Sequence, residues 1–331
     1  MPGRLVVWLR SGSRTEGGEA PGGQGATTKH AGLHVRKEQR RLAGCIAGRM
    51  PSYFAIRPLT TCVIAALMLG SAAVALRAQF GYYGEGRIAA RYPPPTGIPT
   101  SGFTFCRLMY TQVRNEAMGM GWRTDYPGAE RNLMIRTSEL TRTRVHFESP
   151  GQPAHYVVRI TDPALFQCPF AMASDVGTIG LSDAEATSLR AYLLKGGFLW
   201  VDDFWGDAAW EQWSHEIAKA LPPAQFPIVD IVPGDALYKA MMAVDNVPQV
   251  SNIQFWRGVG GSTTSERGFE TREAHLRAIR DAHGRIMVLM SHNTDIADAW
   301  EREGEDPEYF YQFSPKGYAI AMDVIITALS H

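Results

Sequence analysis

Two adjacent carboxylates and a tryptophan follow a short apolar segment in the middle of the chain. Residues 198–201 leave a Gly-Gly turn and run into Asp202, Asp203 and Trp205. An apolar run of this length is typical of a strand that is buried on both faces of a parallel sheet. In open α/β sheets, ligands bind outside the carboxyl ends of such strands. The three side chains therefore mark a candidate site, where carboxylates could accept hydrogen bonds or hold a cation.

Polar clusters also follow two further predicted strands. One cluster comes after residues 103–110, and the other comes after the buried run 285–290. If the sheet is parallel, all three clusters meet at one edge. The candidate ligand-binding residues are then Arg123, Asp125, Tyr126, Asp202, Asp203, Trp205, Asn293, Asp295, Asp298 and Trp300.

The acidic side chains of this set have a structural alternative. An Asp that follows a strand often caps the next helix, and Asp207 or Asp298 could do only that. Asp202 and Asp203 are harder to explain in this way, because adjacent side chains on a strand point in opposite directions and one should face the pocket. Mutual repulsion should raise the pKa of some of these carboxyls unless Arg123 or a cation offsets it.

The elements around these clusters alternate between capped helices and apolar strands. Ser182 and Glu185 form a capping box, which predicts a helix over 182–195 that stops at Gly196. The alternation predicts an α/β domain over 101–331 with a mainly parallel central sheet and helices on both faces. Three further helices are predicted, over 125–141, over 208–221 with Asp207 as its cap, and over 235–244. Pro169 predicts an irregular or edge strand at 165–173. Residues 257–275 are predicted to form a mobile loop that leaves the sheet.

The first hundred residues divide into three segments by composition. Residues 1–49 are polar, glycine-rich and basic, and we expect them to be disordered or to precede a true start at Met50. Residues 50–78 are similar to a secretory signal peptide, with an uncharged apolar run at 59–76, so we expect a periplasmic or secreted domain. An uncleaved run would instead anchor the protein in the inner membrane, its only membrane contact. Residues 79–100 are rich in Pro and Gly and predict a linker.

Charge and motif content exclude several classes of protein. Residues 79–331 hold 22 Lys and Arg against 30 Asp and Glu, so we expect no nucleic-acid partner. The sequence has no G-x-S-x-G or G-x-C-x-G elbow, no H-E-x-x-H and no P-loop. No Cys/His spacing suits zinc, so no metal ligand and no cofactor is assigned. Cys106 and Cys168 are either buried thiols or one disulfide formed in an oxidising compartment.

The motif residues resemble one bacterial family. They are the segments 122–127 and 131–133, the run 189–206 with its Gly-Gly turn and Asp-Asp-Phe-Trp-Gly end, and Asn-x-Asp-x-x-Asp-x-Trp-Glu at 293–301. Over about residues 101–330 the chain is similar to the family catalogued as domain of unknown function 4159. The resemblance implies a flavodoxin-like three-layer α/β/α sandwich of the class I glutamine amidotransferase-like superfamily. Glutaminase members carry a nucleophilic cysteine where this chain carries Asp202 and Asp203, so glutaminase activity is not expected.

The leading functional hypothesis is an exported cell-envelope domain that binds a small polar ligand, such as a carbohydrate, in an acidic cleft with aromatic walls. Trp205 and Trp300 would stack on sugar rings while carboxylates accept hydrogen bonds from hydroxyls. The alternatives are a carboxylate- or metal-dependent hydrolase and a non-catalytic protein-assembly module. The relative positions of the carboxylate oxygens distinguish these three functions. Three oxygens converging at metal distance favour a cation site, a facing carboxylate pair favours a hydrolase, and dispersed helix caps favour a scaffold.

Overall fold

The computed structural model describes residues 89–330, and the predictions for residues 1–88 lie outside that range. Its helices are α1 (Gly128–Leu140), α2 (Asp183–Leu194), α3 (Gly206–Ala220), α4 (Ile253–Gly258), α5 (Asp298–Glu301) and α6 (Pro307–Leu329). Its strands are β1 (Phe105–Met109), β2 (Thr111–Gln112), β3 (Phe147–Ser149), β4 (Gln152–Pro153), β5 (His155–Arg159), β6 (Phe170–Ser174), β7 (Ile179–Gly180), β8 (Phe198–Phe204), β9 (Ile228–Asp230), β10 (His275–Arg280) and β11 (Ile286–His292).

Seven of these strands form one central sheet in the order β5-β1-β6-β8-β11-β10-β9. The first five run parallel to their neighbours, whereas β10 is antiparallel to both β11 and β9. The predicted α/β class with a mostly parallel central sheet is therefore confirmed. The parallel arrangement brings the carboxyl ends of β1, β6, β8 and β11 to the same edge.

Apolar clusters cover both faces of this sheet. Along β8, Leu199 and Val201 belong to the cluster that includes residues of α2 and α3. Phe198 and Trp200 belong to the opposite cluster, which includes residues of α1 and α6. Successive side chains of a strand point to opposite faces, so an apolar run without alternation fits a strand covered on both sides.

The helix before β8 follows its sequence signals closely. Ser182 caps α2, and its side chain and that of Glu185 make the two reciprocal bonds of a capping box. Gly196 then adopts a φ of +108°, a conformation that favours glycine, and the chain turns directly into β8. A Cβ at Gly197 would collide with the ring of Tyr192, so this turn also needs its second glycine.

Several local predictions need correction. The segment 165–173 was expected to be irregular or an edge strand, yet β6 lies between β1 and β8 in the middle of the sheet. Pro169 comes just before the strand, where its missing N–H removes no ladder bond, and its carbonyl accepts from the N–H of Phe198 at 3.3 Å. The expected helix over 235–244 is only a 3-10 turn at Ala236–Lys239.

The predicted helix cap at Asp207 is wrong, and the capping role that was the alternative for Asp298 is not found at the helix that it begins. Helix α3 has Trp205 as its N-cap residue, and Asp207 lies inside the first turn. Helix α5 has Ala297 as its N-cap residue, and Asp298 is its first helical residue. The strand before α3 is also longer than residues 198–201, because β8 continues through Asp202 and Asp203 to Phe204.

Strand β10 was missed by the sequence analysis. Residues 257–275 were expected to form an excursion, and they contain the end of α4 and a 3-10 turn at Gly268–Thr271. The chain then enters β10, which pairs with β11 across a short turn. The half-buried His275, Arg277 and Arg280 lie among buried apolar residues in β10, which fits a strand near the edge of the sheet.

Cys106 and Cys168 form a disulfide whose Cα atoms are 6.1 Å apart. Both residues are buried, and the bond ties β1 to the segment that precedes β6. Of the two alternatives raised by the sequence, the disulfide is the one found. Among the helices of residues 89–330, none combines the length and the apolar character that crossing a bilayer requires.

Candidate functional site

Three of the predicted site residues have an unusual backbone. Asp125, Asp203 and Asn293 adopt φ values of 66°, 55° and 60°. Non-glycine residues rarely occupy this left-handed region, although Asp and Asn tolerate it better than most. Such conformations cost about 1–3 kcal/mol each and cluster at functional sites. Asp203 lies at the end of β8, Asn293 directly follows β11 and Asp125 lies in the loop before α1, and together they make this edge of the sheet the candidate site.

Carboxylates from three chain segments converge at this edge. Asp125 lies in the loop between β2 and α1, Asp203 lies in β8 and Asp295 follows β11. One oxygen of each lies within 4.8 Å of an oxygen of the other two. We call these three residues the primary carboxylate cluster. All three residues were expected at one edge of the sheet, and the structure brings them together.

Each member of the primary cluster is held by a hydrogen bond. The hydroxyl of Ser174 donates to Oδ2 of Asp125 at 3.0 Å, and the indole N–H of Trp205 donates to Oδ1 of Asp203 at 3.0 Å. The backbone N–H of Asp298 donates to Oδ1 of Asp295 at 3.0 Å. These bonds fix the orientation of the carboxylates, as a binding site requires.

Burial raises the pKa of Asp125, Asp203 and Asp295 well above the ordinary value of a carboxyl group. The next largest influence is the charge of neighbouring carboxylates. Asp298 raises the pKa of Asp125, Asp125 raises that of Asp203, and Asp203 raises that of Asp295. The ionised cluster is thus costly in the absence of a cation.

A buried arginine supports one side of the cluster, and the sequence analysis missed it. Arg107 lies in β1 and pairs with Glu130 of α1, with both side chains fully buried. Its Nη1 donates to the hydroxyl of Ser174 at 2.6 Å, and Ser174 in turn donates to Asp125. The positive charge of Arg107 lowers the pKa of Asp125, which partly offsets its burial.

A small cavity lies next to the primary cluster. Its volume is about 20 Å³, which is enough for one water or one ion. Asp203, Asp295 and Trp205 line it, together with Asp175 and Glu266. Burial raises the pKa of both Asp175 and Glu266 to about 7. Five of the twelve residues that line the cavity are acidic, and Arg267 also lines it.

Asp175 and Glu266 were not predicted as site residues. Asp175 directly follows β6, so the same strand-end argument would have found it had β6 been recognised as a central strand. Glu266 lies in the irregular segment between α4 and β10, and its sequence context carries no signal for a site. Its carboxylate also accepts from the backbone N–H of Asn252.

Asp202 lies behind the primary cluster. Its Oδ2 accepts from the N–H of Ala297 at 2.9 Å, while its Oδ1 is buried and accepts no hydrogen bond from the described residues. Burial raises the pKa of Asp202 to about 7.

Asn293 connects the start of α3 to the segment before β10. Its Oδ1 accepts from the N–H of Gly206, and its Nδ2 donates to the carbonyl of Glu273.

Of the ten predicted site residues, Asp203, Trp205 and Asp295 line the cavity and the other seven do not. Trp300 is fully buried and packs against Trp200 and Tyr318, with ring centroids 5.9 and 6.1 Å away. Tyr126 is buried and its hydroxyl accepts from the N–H of Arg91. Arg123 is exposed, and its guanidinium lies over the ring of Trp122 rather than among the carboxylates. Of the two tryptophans expected to line the pocket, Trp205 does so and Trp300 does not.

A second acidic group adjoins the first. Asp125, Asp298 and Glu301 also bring one oxygen each within 4.8 Å of the others, and all three residues are buried. We call them the secondary carboxylate group. Burial raises the pKa of Glu301 well above its ordinary value, and the charges of Asp125 and Asp298 raise it further. Glu301 was part of the motif at 293–301 but not of the predicted site.

Together, the fold and this edge define an α/β protein with an acidic site at its strand ends. Residues 104–329 match the family model described as Domain of unknown function (DUF4159). The match spans more than half of the 331 residues, so the chain belongs to this family. No curated protein matches the chain. The resemblance drawn from the motifs is confirmed for this family, and its description assigns no activity.

Proposed function

We propose that the primary carboxylate cluster binds a divalent cation and that the domain uses this cation to bind a small polar ligand. The observation that carries the proposal is the convergence of Asp125, Asp203 and Asp295 within 4.8 Å of one another. Calcium takes oxygen ligands at 2.3–2.6 Å, so ligands around one ion lie up to about 5 Å apart. The oxygen separations therefore suit a hard cation.

The charge balance supports the same proposal. Moving an ionised carboxylate out of water without a partner is strongly unfavourable, and buried charges are normally paired or coordinated to metals. Here the main influences on the pKa of Asp203 and Asp295 are burial and other carboxylates. A divalent cation in the adjacent cavity would offset this repulsion and let the acids ionise at neutral pH.

A carbohydrate or another polyhydroxylated molecule remains the ligand class that we propose, but with the cation as its main contact. Stacking on tryptophan is less favoured, because Trp300 is 0% and Trp205 is 5% exposed. A cavity of about 20 Å³ holds an ion and not a sugar ring. The ligand would therefore lie at the cavity mouth and reach the cation through its own oxygens.

A metal-dependent hydrolase is the second candidate, and one observation favours it. Asp175 and Glu266 line the cavity with pKa values of about 7, which suits a general base at neutral pH. A cation lowers the pKa of a bound water, and either carboxylate could then accept the proton of that water. Turnover that requires both the cation and one of these two carboxylates would favour this candidate.

Export and the finer fold class are also part of the proposal. The signal-like segment 50–78 supports a periplasmic or secreted location, with anchoring through 59–76 as the alternative. The disulfide between Cys106 and Cys168 supports an oxidising compartment. The parallel strand order supports a flavodoxin-like sandwich of the glutamine amidotransferase-like superfamily, without the nucleophilic cysteine of its glutaminases.

Calorimetric titration of the metal-free protein with Ca²⁺ and Mn²⁺ tests the cation site. We expect saturable binding that Asp203→Asn abolishes, since Asn keeps the left-handed backbone while losing the charge. Asp207→Asn is the matched control, because Asp207 is exposed and lies four residues away on α3. No binding by the wild-type protein, or equal loss in both variants, would refute the proposal.

A further inference from the structure

Irregular chain between β2 and α1 contributes one wall of the cavity. Residues 116–119 line the cavity, together with Glu266 and Arg267 from the segment between α4 and β10. None of residues 113–120 is buried, and most of them are exposed. Segments with few buried contacts open at a low cost in free energy, so this wall can move while the sheet stays folded.

Both ends of this wall are fixed to the chain that follows β6. The backbone N–H of Val113 donates to the carbonyl of Thr178 at 2.8 Å. The backbone N–H of Gly121 donates to Oδ2 of Asp175, also at 2.8 Å. Residues 114–120 lie between these two fixed points, and we call them the lid segment.

Two arginines hold the middle of the lid segment. Nη2 of Arg267 donates to the carbonyl of Ala117 at 2.7 Å, and this bond joins the two irregular segments that line the cavity. Nη1 of Arg114 donates to the carbonyl of Gly177 at 2.7 Å. The Arg267 side chain is 24% exposed, so water can replace Ala117 as its partner. The bond can therefore break without leaving the guanidinium buried and unpaired.

The size of the cavity makes such an opening useful. Its volume of about 20 Å³ holds one ion. A cation such as Ca²⁺ takes about six to eight oxygen ligands, and in water these form a hydration shell that is larger than the cavity. A hydrated ion therefore enters more easily if a wall moves. Displacement of residues 116–119 would widen the cavity from one side.

We propose that the lid segment controls the exchange of the cation, and that the bond from Arg267 to Ala117 holds the lid closed. The inference rests on the proposed cation site and adds the regulation of that site. Closure of a loop over a site commonly isolates the bound ligand from water. Opening of this bond would let the cation and its waters pass.

The charge of Arg267 alone would have the opposite effect. This charge acts on the acids of the cavity wall, since it lowers the pKa of Asp175, Glu266 and Glu116 against the rise that burial causes. A metal ion at the same wall is repelled by the guanidinium, so loss of the charge should slow the release of the ion. Faster release after replacement of Arg267 therefore distinguishes a bond that holds the lid from electrostatic repulsion.

Terbium is the probe for exchange, because Tb³⁺ takes oxygen ligands as Ca²⁺ does and a nearby tryptophan, here Trp205, sensitises its luminescence. The purified full chain is loaded with Tb³⁺ and mixed with excess chelator, and the loss of luminescence is followed by stopped flow. We expect Arg267→Ala to release Tb³⁺ about tenfold faster than the wild type. Amide hydrogen exchange of the metal-free variant should also be faster over residues 113–121.

Two further variants assign the effect to the lid. Arg272→Ala is the matched control, since it removes the same charge from the same segment. The guanidinium of Arg272 lies over the ring of Phe269, and Arg272 does not line the cavity. We expect this variant to release Tb³⁺ at the rate of the wild type. Arg114→Ala removes the other bond that holds the lid, and it should also release Tb³⁺ faster. This variant decides the question if Arg267→Ala does not fold.

The outcomes separate the lid from the cation site. No sensitised binding of Tb³⁺ by the wild type would refute the cation site and the lid with it. Binding with equal or slower release from Arg267→Ala would overturn the lid and leave the cation site as proposed. Equally fast release from Arg267→Ala and Arg272→Ala would also overturn the lid, because the effect would then not depend on the bond to Ala117.

Discussion

Oδ1 of Asp203 accepts a hydrogen bond of 3.0 Å from the indole N–H of Trp205, two residues further along the chain. Asp203 is the strand residue with a left-handed backbone, and Trp205 is the N-cap residue of α3. The bond thus ties the end of β8 to the start of the following helix. It holds one oxygen of Asp203 in place and leaves the other for the cavity.

Trp205→Phe tests the role of this bond. The substitution keeps an aromatic ring but removes the donor, and a hydrogen bond to a charged group is worth about 1.5–3 kcal/mol. We expect cation affinity to fall by about tenfold, which corresponds to roughly 1.4 kcal/mol. Trp213→Phe is the control, because Trp213 is buried in the same helix but does not line the cavity. Equal cation affinity of Trp205→Phe and the wild type would contradict this role.

Asp203→Asn and Leu199→Ala should have opposite effects on stability. Removing one charge from a group of mutually repelling carboxylates should leave the metal-free protein at least as stable as the wild type. Leu199→Ala should destabilise it by about 2–5 kcal/mol, because it leaves a cavity in the core. Thermal and denaturant unfolding of both variants measures this. If Asp203→Asn unfolds as readily as Leu199→Ala, the carboxylate is structural.

The stability of the metal-free protein should fall as the pH rises from about 5 to 8. The pKa of Asp175, Asp202 and Glu266 is raised to about 7, so between their ordinary values and pH 7 the folded state holds protons that the unfolded chain has lost. Stability therefore decreases with rising pH in this window. A saturating divalent cation should remove most of this decrease.

His292 opposes this trend in part of the same range. Burial lowers its pKa to about 4, and its ring lies against that of Phe204. Because the unfolded chain binds the proton of this group below about pH 6.5, His292 makes stability rise with pH between about 4 and 6.5. Burial also lowers the pKa of His155 and His275, but the carboxyls with a raised pKa outnumber these three imidazoles, so we expect a net decrease in stability. Denaturant unfolding in chelator across pH 5–8 is the measurement, and a steady increase in stability would contradict the cluster's electrostatics.

Reduction of the disulfide should destabilise the protein. The bond joins residues separated by 62 positions, and closing a loop of that length corresponds to about 4 kcal/mol in the chain-entropy model. We expect a lower melting temperature in dithiothreitol and in the Cys106→Ser/Cys168→Ser variant.

Mass spectrometry of protein from the periplasm should find an N-terminus after about residue 78 and no free thiol. An intact chain with reduced cysteines in the cytoplasm would contradict export.

The primary cluster could be predicted from the sequence because β1, β8 and β11 are apolar and easily recognised. Asp175 could not, because Pro169 obscured the central strand β6 that precedes it. Trp300 was wrongly expected to line the pocket, since its burial depends on how the short helix α5 packs against α6. Gly317 of α6 permits that packing, since a Cβ there would collide with Ala299. Such contacts join distant segments and leave no local pattern in the sequence.

The secondary carboxylate group and the role of Arg107 could not be predicted from the sequence, for a similar reason. Arg107 reads as a polar interruption of β1, and only the assembled sheet shows that Ser174 and Glu130 surround it. Glu301 reads as an ordinary helix residue. Glu301 is buried because other elements pack around α5. Whether a charged group is solvated or buried depends on these tertiary neighbours.

The most direct measurement is anomalous X-ray diffraction from crystals of the protein grown in Mn²⁺. The account predicts an anomalous peak within 2.0–2.6 Å of carboxylate oxygens from Asp125, Asp203 and Asp295, as expected for a hard cation with oxygen ligands. The same peak should be absent from crystals of Asp203→Asn. Ordered water and no anomalous signal at the primary cluster at saturating Mn²⁺ would contradict the central claim.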